Sequence, residues 1–141
     1  MGIAPLSYGP IQFRVSEALK VMVLLDPWLV LGIGIGTLLA NSLSPFVGPW
    51  ELVWMPFSDM LGGVIAWSIY KMLGKRWAAI PMLVYAVSTG MAVGIMLFML
   101  NVGGFWLLSG SVAVSEVVIL VGGIPLIFGI KKILERRDIR L

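Results

Sequence analysis

Residues 79–100 contain no charged side chain. As a helix, a segment of that length spans the roughly 30 Å hydrocarbon core of a bilayer, and a soluble fold offers no comparable place for it. The pattern recurs along the chain. Apolar stretches bounded by turn residues cover residues 11–25, 28–41, 51–73 and 107–130. They predict an all-α integral membrane protein, a bundle of about five transmembrane helices forming one domain over residues 1–141. Charged residues make up 12% of the chain, about half the share of roughly 25% in ordinary soluble domains. No separate soluble domain fits.

The breaks between segments have identifiable causes. Asp26-Pro27 ends the first, Asn41-Ser42 leads into a loop marked by Pro45, Gly48 and Pro49, and Asn101 precedes Gly103-Gly104. Pro125 lies late enough in the last segment to bend it. The first segment is short for a full crossing and carries Arg14, Glu17 and Lys20, so its neighbours must shield it from lipid. Glycines recur inside the spans, at Gly32, Gly34, Gly36, Gly62, Gly63, Gly90, Gly94, Gly122 and Gly123, and predict close packing of membrane helices.

Basic residues set the expected orientation. Lys71, Lys75 and Arg76 lie between the third and fourth segments, and Lys131, Lys132, Arg136, Arg137 and Arg140 follow the fifth. Two positive stretches separated by two spans belong on one side, which predicts a multi-pass protein of the cell membrane with a cytoplasmic C-terminus. Trp28, Trp50, Trp67, Tyr70 and Trp77 fall near the expected span ends, as interfacial aromatics do.

Several functions are excluded or disfavoured by composition. The chain has no cysteine and no histidine, which removes disulfides, the usual zinc ligand sets and histidine acid–base chemistry. No phosphate-binding glycine loop followed by Lys-Ser or Lys-Thr is present, so ATP hydrolysis is not expected. The net charge of +3 comes from stretches without a basic face interleaved with aromatics, so no nucleic-acid partner is expected. Neither a cofactor nor a metal is expected.

Ionisable residues inside the spans carry the functional signal. Arg14, Glu17, Lys20, Asp59 and Glu116 each oppose insertion by about 2.5–3.5 kcal/mol near a helix centre. Three different segments place Arg14, Glu17, Asp59 and Glu116 in the outer half of the membrane, which points to a polar cavity open to the outside. Arg14, Glu17 and Lys20 are spaced by three residues, so an internal ion-pair ladder is the competing explanation. Asp59 can equally cap a helix break after Pro56. Glu116 has no basic neighbour in sequence, which favours a ligand or proton role.

The run Ser7-Tyr8-Gly9-Pro10-Ile11-Gln12-Phe13-Arg14-Val15-Ser16-Glu17-Ala18-Leu19 resembles the signature of the queuosine-precursor transporter (QueT) family, substrate-binding S components of energy-coupling factor (ECF) transporters. Residues 32–41, a glycine-rich helix ending in Ala40-Asn41, and Ser115-Glu116 in the last helix are similar to further parts of that family's pattern. The resemblance implies a small S component that captures a deazaguanine-like base outside and delivers it when a coupling membrane subunit and its ATPases reorient it. It implies substrate contacts at Gln12, Phe13, Arg14, Glu17, Asn41, Asp59 and Glu116. It also implies that the family's first helix, which precedes the Ser-Tyr-Gly-Pro turn, is missing from this bundle. Tyr85 stands where such relatives carry an asparagine, and Ser58-Asp59 replaces a neutral stretch. Two other readings of the buried charges are an autonomous proton-coupled carrier and a non-transport structural subunit of the membrane.

Overall fold

The computed structural model describes residues 15–43, 48–101 and 104–137. Five helices dominate them. α1 (Val15–Leu24) is wound as a 3-10 helix, and α2 covers Leu29–Ser42. α3 (Met55–Leu73) continues a wide π-type turn at Trp50–Trp54. A 3-10 turn at Lys75–Trp77 leads into α4 (Ala79–Met99), and α5 covers Phe105–Arg136. No strand occurs among the described residues.

Local chemistry explains the joints. The Asp26 carboxylate accepts the backbone N–H of Trp28 at 2.9 Å, closing a turn around Pro27 that reverses the chain into α2. Gly74 ends α3 at a φ of +83°, where a side chain would be strained, and its N–H reaches the Tyr70 carbonyl at 2.8 Å. Pro56 is the second residue of α3, directly after the π-type turn. Pro125 lies inside α5, which continues past it to Arg136.

Both surfaces of each helix are apolar, for different reasons. Phe57, Leu61 and Val64 of α3, and Val114, Val118 and Leu126 of α5, point outward and are exposed. In water such a surface would drive aggregation, but hydrocarbon solvates it. The Trp50–Leu73, Ala79–Met99 and Phe105–Arg136 stretches are long and apolar enough to cross a membrane, and α2 is a shorter apolar helix. Lys71, Lys75 and Arg76 share one end of the bundle with Lys131, Lys132, Arg136 and Arg137, because α3 and α5 run the same way with α4 antiparallel between them. This is the basic end.

The interior is layered. Val21, Leu24, Ala66, Met82, Tyr85, Ala86, Leu120 and Ile127 form an apolar cluster on the basic side. Met55, Val93, Met96 and Val112 form a smaller one toward the opposite end. Asp59 on α3 and Glu116 on α5 lie between the two along their helices, in a polar layer.

The glycines do not act alike. A Cβ on Gly90 would lie 2.6 Å from that of Ala113 and 2.8 Å from the Ser109 carbonyl oxygen, and one on Gly94 would strike Ser109. These two set the α4–α5 approach. The Gly32–Gly36 run divides: Gly34 faces the Met60 thioether, whereas Cβ atoms at Gly32 and Gly36 would meet nothing within 4 Å. Gly94→Leu should therefore lower the thermal stability of the detergent-solubilised protein by about 1–3 kcal/mol or abolish folding, while Gly36→Leu should leave the melting transition nearly unchanged.

Candidate functional site

The polar layer is organised by one side chain, Lys20, for which an ion-pair ladder is the competing explanation in the sequence. Lys20 is buried to 3% exposure. Its ammonium lies 2.5 Å from Glu17 Oε2, 2.8 Å from Asp59 Oδ1 and 4.0 Å from Glu116 Oε2. The 3-10 winding of α1 accounts for the first contact, since residues three apart eclipse one another in such a helix.

Asp59 gives the cluster its rigidity. Its second oxygen accepts the Thr37 hydroxyl of α2 at 2.7 Å, and its backbone carbonyl accepts the Tyr85 hydroxyl of α4 at 2.8 Å. The Lys20 ammonium also sits 5.3 Å from the centroid of the Tyr85 ring, close enough for a cation–π attraction. Asp59 therefore does not cap a break after Pro56. Its carboxylate and carbonyl tie α1, α2, α3 and α4, and Glu116 adds α5.

The polar layer can be approached along a groove of about 320 Å³ between α1 and α2. Glu17, Lys20 and Thr37 supply its polar wall, while Gly32, Gly36 and Ala40 on α2 leave it open. Such a volume suits a small molecule. The carboxylates accept hydrogen bonds and the ammonium donates them, so the cluster is equipped to exchange internal ion pairs for a ligand with N–H donors and a carbonyl. Among the described residues no group of acidic side chains is arranged to hold a metal ion.

Of the residues expected to form the site, Glu17, Asp59 and Glu116 are brought together. Glu116, without a basic neighbour in sequence, gains Lys20 from another helix. Asn41 lies elsewhere: its side-chain amide donates to the Glu51 carbonyl at 2.9 Å and ties the end of α2 to the turn before α3. Gln12, Phe13 and Arg14 lie outside the described residues. Lys20, Thr37 and Tyr85 were missing from the expected set. Lys20 left a sequence signal as a charge in an apolar span three residues from Glu17, and Tyr85 as a departure from the family's asparagine, whereas Thr37 left none.

Removing one partner from a buried ion cluster leaves uncompensated charge, typically at a cost of about 3–5 kcal/mol. Lys20→Met should destabilise the protein by that order in thermal or chemical unfolding. Lys20→Met combined with Asp59→Leu should recover part of the loss, because one stranded carboxylate then disappears.

Neither the curated proteins nor the solved structures that were searched contain a match to this chain. The pattern that defines the QueT transporter family, in contrast, matches residues 1–132, a stretch containing all five members of the polar layer, Glu17, Lys20, Thr37, Asp59 and Glu116, together with the glycine-rich α2. The chain belongs to the QueT transporter family.

Proposed function

We propose that this protein is the substrate-binding S component of an ECF-type transporter, taking up a queuosine precursor of the deazaguanine class. The observation that carries the reading is the Lys20 cluster: three carboxylates from three helices around one ammonium, in an apolar bundle that would be cheaper to build without them. Family membership supports a transport role for that cluster.

In this reading Glu17, Asp59 and Glu116 accept from an amine appended to the base, and Lys20 balances their charge. Gln12, Phe13 and Arg14 complete the ligand set from the preceding segment, and Asn41 supports the mouth. Tyr85 holds Asp59 in place rather than replacing a ligand-binding asparagine. The basic end faces the cytoplasm by the positive-inside pattern, so the ligand enters from the opposite end. The chain performs no catalysis. Energy comes from a coupling membrane subunit and its ATPases, the membrane subunit docking at the cytoplasmic Lys71–Trp77 loop and the small-residue helix faces.

Glu116→Gln nearly preserves volume while removing an acceptor charge. It should weaken binding of the aminomethyl derivative of deazaguanine at least tenfold in titration calorimetry, with little change in melting temperature; unchanged affinity would remove Glu116 from the site. Uptake into proteoliposomes should require the ATPase module. Uptake by the purified chain alone, driven by a proton gradient, would instead identify an autonomous carrier.

A further inference from the structure

Outside the Lys20 cluster, three buried side-chain oxygens in the described residues have no hydrogen-bond partner: Glu51 Oε2, Thr89 Oγ1 and Ser109 Oγ. Their residues are 5%, 3% and 7% exposed. They come from three different elements, the turn before α3, α4 and α5. Each lies one helical turn from a member of the same apolar cluster, on the same face: Glu51 beside Met55, Thr89 beside Val93, Ser109 beside Val112. The cluster is thus bordered by Glu51 and Ser109 on one side. On the other, one further turn along each helix, lie Thr89, Asp59 and Glu116. At 1.5 Å per residue, Glu51 and Asp59 are about 12 Å apart along the helix axis.

Glu51 is held in place through its backbone and its neighbours, while Oε2 of its carboxylate is unpartnered. Its carbonyl accepts the Asn41 amide at 2.9 Å. Trp50 and Trp54 flank it in sequence with ring centroids 6.1 Å apart, and the Trp54 indole N–H is anchored on the Ala92 carbonyl at 3.0 Å. A buried carboxylate oxygen that returns no bond to the fold only costs it stability. Two of the four cluster side chains, Met55 and Met96, are unbranched thioethers, which repack readily and pack well against flat rings.

We propose that this apolar layer is the ring subsite of the transporter and that Glu51 is its specificity-determining residue, reading adjacent N–H donors on a planar heterocycle. The proposal rests on the functional reading above and deepens it. A flat bicyclic ring takes the place of the Met55 and Met96 side chains, which swing aside. Its amidine-like edge, a ring N–H beside an exocyclic amino group, donates two hydrogen bonds to the Glu51 carboxylate. Ser109 takes a remaining polar atom at that end, and Thr89 meets the ring's far edge next to the Lys20 cluster. A ring lacking the exocyclic amino group leaves one carboxylate oxygen unsatisfied and is rejected.

The test compares deazaguanine with deazahypoxanthine, which lacks only that amino group, by titration calorimetry on the full chain in lipid nanodiscs. The wild type should prefer deazaguanine, and Glu51→Gln should weaken deazaguanine binding about tenfold or more while hardly changing deazahypoxanthine, so that the preference disappears. A Glu51→Gln variant that keeps the wild-type preference, or that weakens both ligands equally, overturns the proposal. If Glu51→Gln does not fold, Ser109→Ala and Thr89→Val decide: weaker deazaguanine binding by both is expected, and unchanged affinity in both overturns the ring subsite. A wild type that binds deazaguanine without preferring it overturns this proposal and spares the functional reading, whereas a wild type that binds neither base overturns both.

Discussion

The Lys20 ammonium is the interaction on which the rest of the bundle depends. It approaches carboxylates from α1, α3 and α5, and through Asp59 the hydrogen bonds of Thr37 and Tyr85 bring in α2 and α4. Helix association in lipid has no hydrophobic driving force between helices, so it relies on close packing and on polar contacts that hydrocarbon cannot satisfy. A shared ammonium meets that need for α1 in particular. That helix is too short to cross the membrane and carries two charges within the described residues, Glu17 and Lys20. Pairing them inside the bundle lets so polar a segment sit at membrane depth.

The same layer divides the interior into two apolar compartments with different mechanical character. On the basic side the cluster is built around fully buried Tyr85, Met82 and Leu120 and is braced by close glycine contacts at Gly62 and Gly63. On the other side the cluster is smaller, contains two methionines among four residues, and is bordered by polar atoms that have no bond to the fold. One compartment serves as a rigid base. The other holds two unbranched methionines between helices whose spacing is fixed by the close Gly90 and Gly94 contacts to α5.

How much of this could be read beforehand differs residue by residue. Glu17, Asp59 and Glu116 stood out because a charge in an apolar span is expensive wherever it points. Lys20 was visible as a charge, but its role was not, since three-residue spacing to Glu17 is equally consistent with a local pair. Thr37 and Tyr85 are ordinary membrane residues whose hydroxyls matter only because α2 and α4 bring them to Asp59. Glu51 was hidden beside the Pro49-Trp50 turn, where a carboxylate is commonplace. Its burial depends on how the π-type turn rotates it inward.

The sequence by itself determined that this is an all-helical membrane protein: apolar run length, turn residues and the clustering of basic residues are local properties, set by the bilayer's thickness and the cost of bare backbone in hydrocarbon. Tertiary structure decided which charges meet. It also separated packing glycines such as Gly90 and Gly94 from open ones such as Gly32 and Gly36. Both depend on helix rotation and axial register, which follow from the simultaneous packing of all five helices. No single helix contains the information, because a rotation of one residue, about 100°, carries a side chain from lipid into the polar layer.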